Sequence, residues 1–119
     1  MLRSPIIGAL AAALVFGIGI GRWVLPEAPS APVTAVPAGA PLIDQDKLTF
    51  IPDELRVQSG STVYLKNSES AVHTVTIEGK NVSGVMREND VLAWVPPRPG
   101  TYRITCDYHP KMLATITAE

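Results

Sequence analysis

Between residues 55 and 118, several stretches of the chain alternate between apolar and polar positions with a period of two. Val63 and Leu65 fall on one side of such a stretch, while Tyr64 and Lys66 fall on the other. A repeat of two residues is typical of a β-strand with one buried face. No window of residues 42–119 shows a convincing helical repeat. The pattern therefore predicts an all-β domain.

Turn signals separate the alternating stretches and divide them into short strands. The predicted strands lie near residues 55–57, 63–66, 73–78, 92–94, 101–106 and 113–118. Residues 79–90 are polar and predicted to be a loop, and the proline-rich run 96–100 is a turn. Short strands at this spacing predict a small antiparallel sandwich or barrel.

The beginning of the chain has a different character. Residues 6–21 carry no charge, and Arg3 and Arg22 flank them. A signal peptide has an apolar stretch of about 7–15 residues and a membrane span needs about 20, so this stretch lies between the two. If Trp23 lies at the membrane interface, residues 5–25 form an apolar helix long enough to span.

We therefore interpret residues 1–25 as a signal-anchor or a signal peptide, with an uncleaved anchor favoured. Prolines crowd the possible cleavage sites, but cleavage that leaves a mature chain starting between Ala28 and Leu42 stays open. In either case the domain is exported, which predicts a periplasmic or cell-surface location.

A linker rich in proline and alanine occupies residues 26–41 and contains five prolines. Such a segment is extended and semi-rigid, and sixteen residues at about 3.1 Å each would span at most about 50 Å. The folded domain is then residues 42–119. A domain of this size buries a modest core and often needs a metal or another staple.

Charge and cysteine content narrow the possible functions. Ten Lys and Arg and eleven Asp and Glu occur in the chain, and Arg3, Arg22 and Glu27 precede the domain. The domain thus has eight positive and ten negative groups, which gives no electrostatic footprint for nucleic acid. The single cysteine, Cys106, excludes a disulfide within the chain.

Four residues of the domain form a pattern that suits a metal. His73 is in phase with the apolar positions of its strand, and Cys106 is in phase with Tyr102 and Ile104, so both are expected to face the core at strand ends. His109 and Met112 follow Cys106 at intervals of three, and Pro110 prevents an extended conformation there. The segment is predicted to be a tight loop that turns three side chains towards one point.

The chemistry of this set favours copper. Two imidazoles and a thiolate in a trigonal plane, with a weak axial thioether, mark an electron-transfer copper site. Each residue has a plainer explanation when taken alone, as a buried small hydrophobe, a hydrogen-bonded core histidine or a gap-filling methionine. The domain has only two histidines and one cysteine. Because all three fall in this pattern, chance is a poor explanation.

The same residues resemble the cupredoxin family of blue copper proteins. Residues 106–112, Cys-Asp-Tyr-His-Pro-Lys-Met, look like the family's ligand loop, and the short loop with His-Pro is closest to amicyanin-like and plastocyanin-like domains. Further similarity lies at residues 50–52, at 100–102, and in Val57, Gly60, Val63, Asn67 and residues 73–75. The resemblance covers roughly residues 48–117.

The resemblance implies a Greek-key β-sandwich with one copper ion at one end, cycling between Cu(I) and Cu(II). It implies that His73, Cys106, His109 and Met112 are the ligands. It also suggests that Asn67 forms a hydrogen bond to the cysteine loop, although a plain turn residue is an equal alternative. Tyr108 departs from the family, since proline is common there. An extra N-terminal strand of the amicyanin type has little sequence to come from.

The predicted function is that of a monomeric single-electron carrier, tethered to the membrane through residues 5–25. Redox partner proteins are expected to dock transiently near His109, which lies in mid-loop and is the ligand expected to reach solvent. Pro110, Met112 and Leu113, with Ala71 and Val72, would form an apolar surface there. Enzymatic copper centres need more histidines or a second cysteine, so an enzyme is not expected.

Two other functions remain open at the level of sequence. A copper carrier or copper-resistance protein could use the same four ligands. A non-metal exported sandwich that binds another protein would leave Cys106 oxidisable and the protein colourless.

Overall fold

The computed structural model describes residues 30–119. The predicted apolar helix and the first residues of the predicted linker lie outside the described residues. Within residues 30–119, no helix is long and apolar enough to cross a membrane.

The described protein is a sandwich of two five-stranded sheets, so the all-β prediction is confirmed. The first sheet has the order β1-β8-β5-β2-β3. Its strands are β1 (Ser30–Val33), β2 (Leu42–Asp46), β3 (Thr49–Ile51), β5 (Val63–Asn67) and β8 (Val91–Trp94). The second has the order β4-β10-β9-β6-β7. Its strands are β4 (Glu54–Val57), β6 (Thr76–Ile77), β7 (Lys80–Asn81), β9 (Gly100–Thr105) and β10 (Leu113–Ala118).

Two features of the sheets differ from the sequence interpretation. Strand β2 pairs in parallel with β5, and β4 pairs in parallel with β10, so neither sheet is purely antiparallel. Alternation of apolar residues reports which face of a strand is buried but not the direction of its neighbour, which explains the error. Strands β2 and β3 were not predicted, because Asp44, Gln45 and Asp46 interrupt the apolar pattern.

The edge strand β1 was also missed. Residues 30–33 lie inside the predicted linker, yet they pair with β8 in antiparallel register, with Ser30 opposite Trp94 and Val33 opposite Val91. Proline is compatible with an edge strand because only one side of the strand needs hydrogen bonds, and Pro32 occupies such a position. The expectation that an extra N-terminal strand has little sequence to come from was therefore wrong, since residues 30–33 supply one.

The core lies between the two sheets and follows the predicted alternation in most strands. Its largest fully buried apolar side chains are Trp94, Ile43, Leu65, Ile104, Met112 and Ile116. The ring of Trp94 contacts that of Tyr102 edge-on, with centroids 5.1 Å apart. Strands from both sheets thus contribute to one continuous apolar cluster.

The sandwich has two distinct ends. At one end β9 stops at Thr105 and β10 starts at Leu113 opposite it, so residues 106–112 connect the two strands there. We call this the site end. At the opposite end, Gly100 pairs with Ala118, and the turns formed by residues 58–61 and 95–99 close the sandwich.

Candidate metal centre

The segment that carries His73 crosses from the first sheet to the second at the site end. His73 itself forms an isolated bridge with Met86, in which His73 N–H donates to the Met86 carbonyl at 3.0 Å and Met86 N–H donates back at 2.7 Å. The two hydrogen bonds fix the backbone of His73, from which the imidazole ring projects. The His73 side chain is completely buried, as the strand pattern predicted.

Asn67 fixes the loop before His73. Its side-chain amide donates to the carbonyl of Ala71 at 2.8 Å and to that of Met86 at 3.0 Å, and its oxygen accepts from Glu69 N–H at 2.9 Å. All three partners belong to the His73 side of the site. The hydrogen bond to the cysteine loop that the family resemblance suggested is thus not the role of Asn67 here.

Thr74 makes the connection that was expected of Asn67. Its backbone N–H points to Cys106 Sγ at 3.5 Å, and its hydroxyl accepts from Asp107 N–H at 2.9 Å. Gln45 donates to the Thr74 carbonyl at 3.1 Å and so holds this residue from the first sheet. Thr74 and Thr76 alternate along the chain with His73 and Val75, yet both are buried and form a hydrogen bond with each other at 3.0 Å.

The loop from Cys106 to Met112 brings the other predicted ligands to the same place. Met112 N–H donates to the His109 carbonyl at 2.9 Å, which closes a tight turn around Pro110. Cys106 and Met112 are almost fully buried, whereas His109 is partly exposed. His109 is therefore the one of the four that reaches solvent, as the sequence predicted.

Three potential ligand atoms converge at this end. Cys106 Sγ lies 3.5 Å from His109 Nδ1 and 3.8 Å from His73 Nδ1, and the three side chains have ligand atoms within 4.8 Å of one another. Metal–nitrogen and metal–sulfur bonds of about 2.0–2.3 Å would separate trigonal ligand atoms by about 3.5–3.7 Å. The observed spacing fits a single metal ion between them. With the buried thioether of Met112, the four residues form a potential copper site.

The carboxylate of Glu69 determines which ring nitrogen of His73 faces Cys106. Glu69 Oε2 lies 2.7 Å from His73 Nε2. Because an ionised carboxylate only accepts hydrogen bonds, Nε2 carries the proton and the Nδ1 lone pair is directed towards Cys106. Burial opposes ionisation of Glu69, but hydrogen bonds from Leu48 N–H, His73 and Lys47 N–H outweigh it and hold the pKa of this carboxyl below its usual value.

A second carboxylate anchors the start of the cysteine loop. Asp107 accepts from the Thr76 hydroxyl at 2.7 Å and from the Asn81 amide at 3.0 Å. Asn81 belongs to β7 within the segment predicted to be a loop, so that prediction was wrong for this short strand. Asp107 thus ties the residue after Cys106 to the second sheet.

Apolar side chains surround the exposed edge of His109. A shallow depression there is lined by Leu48, Tyr108, Pro110 and Lys111 together with His109 and Met112. Leu48 and Tyr108 each expose about half of their surface (49%), and Leu113 exposes 47%. Met112 was predicted to belong to this surface, but it is 1% exposed and packs inwards.

Sequence reasoning missed four residues that shape the site: Glu69, Thr74, Asp107 and Leu48. Only Glu69 carries a local signal, since it lies four residues before a histidine. Thr74 and Asp107 act through contacts across about 30 residues of chain, and Leu48 N–H donates to Glu69, 21 residues further along. Such contacts become visible only after the sheets are paired.

Comparison with known proteins gives a consistent result. The family profile described as cupredoxin-like domain matches residues 33–118. Amicyanin-alpha of Methylorubrum extorquens is 32% identical over 73% of this chain and 78% of its own length. Amicyanin of Paracoccus versutus is 29% identical over 93% of each chain. The solved structure of an amicyanin mutant in its Cu(I) form superposes with a TM-score of 0.69 at 27% identity, covering 78% of this chain and 97% of that one.

Proposed function

Since the chain belongs to the cupredoxin-like domain family, we propose that it is a single-electron carrier with one copper ion held by His73, Cys106, His109 and Met112. The observation that carries this proposal is the convergence of one sulfur and two imidazole nitrogens at the site end. Copper bound there would supply a one-electron couple between Cu(I) and Cu(II).

The buried members of the proposed ligand set would give such a carrier a rigid, water-free centre. His73 and Cys106 are buried and held by hydrogen bonds, so their positions change little with the charge at the site. A ligand set that suits both oxidation states needs little rearrangement when an electron moves. Burial of Met112 keeps water from this side of the centre.

His109 provides the route to a partner protein. It is the exposed member of the set, and its surroundings are mainly apolar, with Lys111 as the charged residue beside it. A small apolar surface suits a weak and transient encounter, in which the partner must leave soon after the electron has passed. We place the docking surface for redox partners around His109.

The location and state of the protein are part of the proposal. Residues 5–25 would anchor an exported, monomeric domain on the periplasmic or outer side of a membrane. An enzymatic role is not proposed, because both histidines and the single cysteine of the chain are assigned to the one centre. The net charge gives no reason to expect nucleic acid.

The direct test is addition of one equivalent of Cu(II) to the purified protein, followed by visible spectroscopy. An intense thiolate-to-copper charge-transfer band is expected, and Cys106→Ser should abolish it. Ser61→Ala, at the opposite end of the sandwich, is the control and should leave the band unchanged. A colourless complex with bound copper would contradict this type of site. A protein that binds no copper would contradict it too, and would favour the alternative of an exported sandwich that binds another protein without a metal.

A copper carrier with the same four residues is the competing function. It would give up its metal to a weak chelator within minutes, whereas an electron carrier would retain it through repeated cycles of reduction and oxidation. Deep burial of Cys106 and Met112 supports retention. Copper content measured after such cycles in the presence of the chelator distinguishes the two.

A further inference from the structure

The direction of β1 determines at which end of the sandwich the chain enters the domain. Ser30 pairs with Trp94, and Trp94 pairs with Val63 at the start of β5. These three residues lie towards the end opposite the metal centre, because β5 runs from Val63 to Asn67 at the site end. Strand β1 therefore starts far from the centre and runs towards it.

The register leaves little chain between the proposed anchor and the domain. Only residues 26–29 separate Leu25 from Ser30. Five steps of at most about 3.6 Å bound this connection to about 18 Å even at full extension. The estimate of about 50 Å for a spacer of sixteen residues no longer applies, since β1 takes up part of that segment.

The length of the sandwich along its strands exceeds the reach of this connection. From Val63, level with Ser30, to Asn67 the chain rises by about 13 Å at 3.3 Å per residue. The loops with His73 and His109 extend further in the same direction. With the strands roughly perpendicular to the membrane, His109 could touch it only if Ser30 lay more than about 20 Å from the surface, which exceeds the reach of the four linking residues.

The opposite end is compatible with a membrane surface. The turns at residues 58–61 and 95–99 contain one charged residue, Arg98, which is exposed. Glu119 lies beside these turns, and its carboxylate forms an ion pair with Arg56. A surface with an unopposed cation is not repelled by anionic lipid headgroups.

We infer that the anchored protein stands with its opposite end against the bilayer and its metal centre facing away from it. This inference rests on the proposed anchor. It assigns the electron partner to a class: a water-soluble redox protein that approaches from the aqueous side. A quinol confined to the bilayer would be out of reach of His109.

Paramagnetic relaxation in nanodiscs tests this orientation. The full chain, loaded with copper and reduced to diamagnetic Cu(I), is placed in discs that contain a lipid with a Gd(III)-chelate headgroup. Amide signals of Gln58–Ser61 and of Val95 and Arg98 should broaden several-fold more than those of Tyr108, His109 and Lys111. Equal broadening at both ends, or stronger broadening at Tyr108–Lys111, would overturn the inference.

A variant with a longer linker supplies the control. Insertion of fifteen Gly and Ser residues between Leu25 and Pro26 should remove most of the difference between the two ends. If the difference persists, the short linker is not its cause and the inference fails. A chain that leaves the discs would show that residues 5–25 are no anchor, which ends this inference but leaves the copper spectrum, and with it the electron-carrier proposal, unaffected.

Discussion

Two segments supply the potential ligands, and they are held in different ways. The His73 segment is fixed along its length: Asn67 ties its loop, Met86 bridges its backbone and Glu69 holds its ring. The loop of residues 106–112 is tied to the sheets at its start, through Cys106 and Asp107. Further along, the hydrogen bond from Met112 to His109 is internal to the loop.

The difference indicates how the site divides its tasks. His73 and Cys106 are placed by the protein itself, before any metal arrives. His109 and Met112 depend on the burial of one apolar side chain and on the metal they would share. Because a metal bound to the folded state adds its binding energy to folding, it should stabilise the less constrained segment most.

Copper binding should therefore produce the largest effect. At a free copper concentration about a thousandfold above the dissociation constant, the folded state gains about 4 kcal/mol. Hydrogen exchange should show a larger rise in amide protection for residues 108–113 than for residues 73–75. Cys106→Ser should show little of either change. A uniform rise across both segments would mean that they are equally fixed without metal.

Removal of the Asn67 side chain should have the next largest effect. Asn67→Ala leaves the Ala71 carbonyl and Glu69 N–H without their partner inside the protein, and the Met86 carbonyl keeps only its hydrogen bond from His73 N–H. The loss should cost about 2–3 kcal/mol in the metal-free state. Urea unfolding followed by tryptophan fluorescence measures this loss. Ser70→Ala, in the same loop but exposed, should cost less than about 0.5 kcal/mol. Similar losses for the two variants would contradict the assigned role of Asn67.

The contrast between the segments also explains what the sequence could predict. Cys106, His109 and Met112 lie within seven residues, and His73 keeps the phase of its strand, so local spacing was enough to propose all four as ligands. Alternation likewise located β5, β8, β9 and β10. These predictions depend on short-range geometry that every strand and tight turn shares.

What the sequence could not predict depends on long-range pairing. The parallel pairs β2–β5 and β4–β10 have no signature in the alternation itself. The edge strand β1 was hidden by prolines that also mark linkers. The buried position of Thr74 follows from its contacts with Cys106 and Asp107, about 32 residues away, rather than from its neighbours.

Asp107 offers a smaller and more specific test of the loop. Asp107→Asn keeps the shape but removes a negative charge next to Cys106, and it should cost about 1 kcal/mol because the side chain is exposed. The same loss of charge should favour Cu(I) and raise the reduction potential, measured by voltammetry. Glu88→Gln removes an equal charge from another exposed turn and should leave the potential nearly unchanged. An unchanged potential in Asp107→Asn would show that this carboxylate has no electrostatic effect on the centre.

The smallest effect on stability, and the most selective effect on function, is expected at the exposed apolar surface around His109. Leu48→Asp and Leu113→Asp place a charge where both side chains are about half exposed, so the fold should lose less than about 1 kcal/mol. Desolvating the new carboxylate would weaken an apolar encounter and should slow electron exchange with a soluble redox protein several-fold. The visible spectrum should stay unchanged, because neither residue belongs to the potential ligand set.

Ile51→Asp is the matched control, since Ile51 is also 47% exposed but lies further along β3, away from His109. The new charge can slow electron exchange by long-range repulsion of a partner or by its desolvation cost. Stopped-flow measurement of electron exchange at two ionic strengths separates these contributions, because salt screens the repulsion but not the desolvation cost. Slower exchange in Leu48→Asp alone would centre the docking surface between Leu48 and His109. If neither variant is slower than Ile51→Asp, partners dock elsewhere, and the charged sides of the sandwich become the surfaces to examine.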